Sequence, residues 1–192
     1  MAFELMNPAG NVNVRVSKVA NRLRTLKGAR LGLLDNGKTN AAKFLNMVAD
    51  ILVREYGVGA VKMFSKDTLA KPASRELLHA IIADSDFVVT GLGDCGSCST
   101  NSVHDSIEIE KLGIPAVAVC TEPFLPGLDA LTRMRGMPDY KFAVSPHPLG
   151  VLFDDELKGR AQLVVPQIVQ IVLGSAESAQ RAATTASAPV TP

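Results

Sequence analysis

The chain is short of several things, and each shortage removes a class of function. It has no block of lysine or arginine: 20 basic residues face 19 acidic ones across 192 positions, for a formal net charge of +1. That balance provides no electrostatic footprint for a nucleic-acid backbone. No apolar run reaches the roughly 20 residues that a membrane span requires. The opening MAFELMNPAG lacks the basic and apolar regions of a secretory signal. The expectation is a soluble, cytoplasmic protein with no nucleic-acid or membrane partner. Cysteine is scarce, at three residues, and an odd number does not suit the disulfide scaffold of a small secreted domain. There is one C-x-x-C, no second copy of it, and no H-x-x-x-H. Zinc asks for about four protein ligands, or three with an open position, so no metal or other bound cofactor is expected.

What is present is a substantial apolar fraction, 47%, arranged in a repeating order. Short apolar runs alternate with amphipathic stretches: ARLGLLDN then NAAKFLNMVADILVREYG, AVKMFSK then SRELLHAIIADS, DFVVTGLG then STNSVHDSIEIEKLG, PAVAVCT then PFLPGLDALTRMRG, and KFAVSPH then DDELKGRAQLVVPQIVQIVLG. Continuous apolar strands separated by helices indicate a parallel sheet covered on both faces. Five such units predict an α/β fold, a flavodoxin-like doubly wound sheet of about five strands in order 2-1-3-4-5. Residues 1–28 read as an N-terminal arm with one weak helix in VSKVANRLRTLKG, residues 29–174 as the α/β domain, and residues 175–192 as a disordered Ala/Ser/Thr/Pro-rich tail.

In this architecture ligands bind beyond the carboxyl ends of the strands, at the switch point between the first and third. The loop after the first strand carries Asn36, Lys38, Thr39 and Asn40, where a positive side chain and free backbone N–H groups would hold a carboxylate or phosphate. It is read as neither a Walker loop nor a dinucleotide fingerprint. The loop after the third strand carries Asp94, Cys95, Gly96, Ser97 and Cys98. A thiolate at a helix start has a lowered pKa, with Ser97 or Ser99 as the cap. On these grounds Cys98, nearer the helix, would have the lower pKa, and Asp94 would disfavour a Cys95 thiolate or move a proton. Thr121 and Glu122 follow the fourth strand, Glu122 as an acid, a base or simply electrostatic help to a helix start. His147 sits between two prolines after the fifth. His104 lies six residues beyond Cys98 at the edge of an apolar helix face, Cys120 reads as core, and His79 lies on an outer helix.

The stretches LLDNGKTNAAKFL, TGLGDCGSCSTNSVHDSIEIEKLGIPAVAVCTEPF and SPHPLG resemble the UGSC family of (seleno)proteins, from about residue 29 to about residue 173. More distantly the chain is similar to the selenocysteine-bearing subunits of glycine and proline reductases. The resemblance implies that Cys95 stands where the family often has selenocysteine and that Cys98 is its partner. In the reductases the selenol attacks carbon and displaces nitrogen, and a neighbouring thiol releases the product.

The function expected is therefore that of a thiol-dependent enzyme, with Cys95 as nucleophile and Cys98 as resolving thiol, acting on a small, anionic metabolite. An external thiol reductant closes the cycle, and a reductase partner protein or a homo-oligomer fits the same scheme. One alternative is a cysteine acid/base racemase or lyase, since CST and CTE resemble the two cysteine loops of amino-acid racemases. The other is a redox subunit of a larger reductase.

Overall fold

The computed structural model describes residues 14–68 and 71–174; the stretch 175–192, expected as a tail, lies outside the described residues. Five strands, β1 (Arg30–Asp35), β2 (Ala60–Ser65), β3 (Phe87–Gly93), β4 (Ala116–Thr121) and β5 (Ala143–Ser145), form one sheet. Every pairing is parallel and the order is β2-β1-β3-β4-β5, the doubly wound arrangement that the alternation predicts. The strands alternate with α1 (Ala41–Tyr56), α2 (Arg75–Asp84), α3 (Gly96–Lys111), α4 (Leu125–Met134) and α5 (Asp154–Leu173).

The helices divide between the two faces. Phe44, Leu45, Val48 and Leu52 of α1 share one core with Val165, Ile168, Val169 and Val172 of α5, over Leu33, Val89, Val117 and Val119. On the other face α2 and α3 cover Leu34, Val88 and Ala116, while α3 and α4 cover Ala118 and Cys120. Every residue of β3 and β4 is buried, which is why those strands read as unbroken apolar runs rather than as alternation. The β2 edge is largely exposed. At the other edge Gln167 of α5 accepts from the Val144 N–H and donates to the Val144 carbonyl, both at 2.9 Å. That contact occupies a backbone pair which would otherwise invite another strand.

The weak helix expected within residues 16–28 does not form. The segment is instead a strap tied across the domain. Its Ser17 N–H donates to the Gly136 carbonyl, its Ala20 N–H to Glu110 Oε2 at 2.6 Å, and its Leu23 N–H to the Val172 carbonyl at 3.0 Å, while Leu26 is wholly buried. Its amides find partners elsewhere in the fold, so they gain nothing from an internal helix ladder.

Candidate functional site

Four loops meet at the carboxyl end of the sheet, and side-chain-to-backbone bonds fix them to one another. Asn36 is buried. Its Nδ2 donates to the Leu92 carbonyl at 3.0 Å and to Ser102 Oγ at 3.1 Å, and its Oδ1 accepts the Lys38 N–H. Asn40 adopts φ 67°, a left-handed conformation that asparagine tolerates better than most residues. From there its Nδ2 donates to the carbonyls of Leu149 and Leu152. Both asparagines are thus engaged in holding loops. Thr39 is exposed beside them, and Lys38 is half-buried.

Contrary to the expectation from sequence, the stretch Gly32–Thr39 does carry the spacing G-x-x-x-x-G-K-T. The structure decides against a phosphate loop. Gly32 to Asp35 lie in β1, paired with β2 and β3, rather than in a loop. The Gly37 N–H is taken by Asp35 Oδ1 at 2.8 Å and the Lys38 N–H by Asn36. These amides are spent inside the turn, and a carboxylate stands where a phosphate would need to approach.

At the third loop the residue that caps α3 is neither serine. Cys95 is the N-cap, with extended backbone (φ −157°, ψ 167°), and its Sγ accepts the Cys98 N–H at 3.3 Å. The helix therefore starts at Gly96, three residues earlier than STNSV suggests. Ser97 is exposed, with its Oγ 3.6 Å from Cys95 Sγ. Ser99 is fully buried and its Oγ has no hydrogen-bond partner among the described residues. It abuts Gly93, where an added Cβ would lie 3.0 Å from Ser99 Oγ and 2.7 Å from Cys120 Sγ.

The cap position also reverses the expected acidities. Burial raises the Cys95 thiol, but hydrogen bonds from the Cys98 side chain, the Cys98 N–H and Ser97, with the charge of Lys38, outweigh it, and the net shift is downward. Cys98 is pushed up to about 11, by burial first and then by its hydrogen bond to Cys95 and the charge there. Cys120, fully buried, is raised by burial alone. Of the three thiols only Cys95 is partly exposed. Asp94 plays no part in this balance. Its buried carboxylate turns away from Cys95 and accepts the Leu149 N–H at 2.9 Å and the Gly150 N–H at 2.7 Å.

The fifth loop reaches the same place. His147 Nδ1 lies 3.1 Å from Asp94 Oδ1 and 3.1 Å from Thr121 Oγ1, and its ring meets Phe124 edge-on at 5.8 Å. Thr121, fully buried, donates its hydroxyl to the Gly93 carbonyl. Gly150 is required by closeness, since a Cβ there would sit 3.0 Å from Asp94 Oδ2 and 3.4 Å from Lys38 Cε. Leu149, Gly150 and Phe124 are site residues that the sequence reading missed. The only trace of them in the sequence is the compact SPHPLG stretch.

Two candidates stand apart. Glu122 is exposed at the start of a single 3-10 turn, Glu122–Phe124; its carbonyl accepts the Leu125 N–H, and its side chain makes no hydrogen bond or ion pair among the described residues. His104 lies on α3 beside the buried Lys66–Asp105 ion pair (2.7 Å), its Nδ1 3.5 Å from Asp105 Oδ1 and without a hydrogen bond among the described residues. Among the described residues no three His, Cys, Asp or Glu side chains gather to hold a metal. No described helix is long and apolar enough to cross a membrane. A cavity of about 500 Å³ lies elsewhere, lined by Arg22, Glu110, Lys141, Gln167 and Gln170.

Fold and site together define a doubly wound α/β protein with a capping cysteine and its C-x-x-C partner at the switch point of the sheet. The model of the UGSC family matches residues 4–174, and the chain belongs to that family. No curated protein matches it. Among solved structures it is similar to the TIR domains in the activated Roq1 resistosome directly recognizing the pathogen effector XopQ. That likeness has 17% identity and a TM-score of 0.35, over 60% of this chain and 87% of the other.

Proposed function

We propose that this protein is a thiol-dependent enzyme of reductive or substitution chemistry, with Cys95 as nucleophile and Cys98 as resolving thiol. The observation that carries the reading is the contrast within the pair: Cys95 half-buried with its thiol pKa lowered, Cys98 buried with its own raised to about 11. The thiolate is the nucleophile, so attack belongs to Cys95. Cys95 Sγ forms a bond to an electrophilic carbon or heteroatom, and the leaving group departs with the electron pair and takes a proton. Cys98 then loses its proton and attacks Cys95 Sγ. The S–S bond forms, and the substrate fragment leaves with the electrons of the broken bond and the proton from Cys98. The substrate is reduced by two electrons and the cysteine pair is oxidised. A cellular thiol, free or on a reductase partner, restores the pair by exchange, as the cytoplasm would allow. The half-buried Lys38, whose charge acts on both sulfurs, suits a small anionic substrate.

Removing the resolving thiol should trap the adduct. Cys98→Ser incubated with candidate metabolites, digested without reductant and read by mass spectrometry, should carry the new mass on the Cys95 peptide. Mild oxidation of the native protein should remove two alkylatable thiols and leave Cys120. An adduct confined to Cys98 in Cys95→Ser would swap the roles. Full activity in both single variants would remove thiol chemistry from this loop.

A further inference from the structure

We infer that His147 is the proton carrier of this site, held with its proton on Nδ1 and presenting an unprotonated Nε2 to the crevice as general base for a hydrogen-bearing heteroatom of the substrate. The inference rests on the cysteine loop being the reacting centre, and it adds to that reading a second reacting group and a substrate class: one with an N–H, O–H or S–H to surrender.

The tautomer follows from the partners of Nδ1. Asp94 accepts a backbone N–H on each carboxylate oxygen, from Leu149 and from Gly150, so towards the ring it offers only a lone pair. Thr121 has one hydroxyl proton and gives it to the Gly93 carbonyl at 3.1 Å, so it too offers a lone pair. Both lie 3.1 Å from Nδ1. Two acceptors at one nitrogen place the ring proton there, and a neutral imidazole then leaves Nε2 bare. The side chain is 39% exposed. With Nδ1 turned onto two buried residues, the part that meets solvent is the side bearing Nε2.

Asp94 is the chain neighbour of Cys95 and its Oδ1 lies 3.1 Å from His147 Nδ1, so the thiolate and the base belong to loops at the same end of the sheet. In the step assigned here, the substrate proton moves to Nε2, leaving its electron pair on the heteroatom. The imidazolium so formed lies against the Asp94 carboxylate; it gives this proton to the leaving group as that departs with its electron pair, and the heteroatom anion takes a proton from water. His147 is the catalytic residue of this step, and Asp94 and Thr121 are positioning residues.

The test uses ¹⁵N-labelled full-length protein, which has three histidines. His147→Gln identifies the His147 signals by their loss. Long-range proton–nitrogen spectra, recorded where the ring signals no longer change with rising pH, should show Nδ1 protonated and Nε2 bare. Asp94→Asn should shift the ring towards the Nε2–H tautomer, and Thr121→Val should do so in part with the carboxylate kept. A wild-type ring protonated on Nε2, or a tautomer indifferent to both variants, overturns the proposal. Diethyl pyrocarbonate, which acylates a bare imidazole nitrogen, should modify His147 at least as fast as the exposed His79. A much slower rate overturns access to Nε2. Cys95→Ser should leave both readouts unchanged. Failure of the thiol reading would thus leave the histidine results standing, and failure of the histidine results would leave Cys95 trapping intact.

Discussion

The sulfur of Cys95 takes the place that a serine or aspartate oxygen takes at most helix starts. Sequence identifies the pair and its loop, but which residue caps depends on the φ and ψ of one peptide, and the serines at 97 and 99 offered better-known caps. The Asp94 carboxylate is occupied by the Leu149 and Gly150 amides. That is why a carboxylate one residue away does not raise the thiol. A lowered pKa means more thiolate at a given pH. Native iodoacetamide alkylation of Cys95, followed by peptide mass spectrometry, should therefore half-saturate below the ordinary thiol value, and that of Cys98 near pH 11. A Cys98 midpoint below that of Cys95 would contradict the assignment. Lys38 lowers both thiols, so Lys38→Met should move both midpoints upward and slow Cys95 alkylation at neutral pH. Unmoved midpoints would place the lysine charge away from the sulfurs.

Among the elements, the ends of β3 and β4 depend on one missing side chain. At Gly93 an added Cβ would meet Cys120 Sγ at 2.7 Å and Cys120 Cα at 3.0 Å, so the two strands close only because position 93 is bare. Gly93→Ala should cost about 1–3 kcal/mol, the usual range for overpacking, read as a lower urea midpoint. The same substitution at Gly159, inside α5 with nothing within 4 Å of the added carbon, should stabilise by roughly 0.5–1 kcal/mol. Equal effects at the two sites would show that packing at Gly93 is not the cause. The other elements follow the sequence pattern closely because period and burial agree: α1 carries Phe44, Leu45, Val48 and Leu52 on one buried face, and such spacing permits little else. The start of α3 was less legible, since Gly96 and Ser97 are both exposed and carry no periodic signal.

For the whole molecule, alternation of strand and helix was enough to order the sheet, because parallel crossovers share one hand and a doubly wound sheet has few solutions. Contacts between residues far apart in the chain were not legible: Asp94 with Leu149 and Gly150, and the strap of residues 14–28 with the domain. No local pattern encodes a partner so distant in sequence. The strap places a physical demand on the domain beginning at residue 29. Glu110, buried inside α3, accepts the Ala20 and Ala116 amides and pairs with Arg22. Leu26 is fully enclosed in the main core. Deleting residues 1–28 would remove Arg22 and the Ala20 amide from a carboxylate whose Oε1 still accepts the Ala116 N–H. Stranding one partner of a buried pair costs about 3–5 kcal/mol, and the lost burial of Leu26 adds roughly 1.5–3 kcal/mol. Set against the roughly 5–15 kcal/mol of total stability usual for a domain, that is a large share. The shortened chain should therefore unfold at a much lower urea concentration than the full chain, or fail to fold. Glu110→Gln within the shortened chain should recover part of the loss, because it removes the unpaired charge and keeps the shape. An unchanged urea midpoint on deletion would mean that the strap only rests on a domain complete without it.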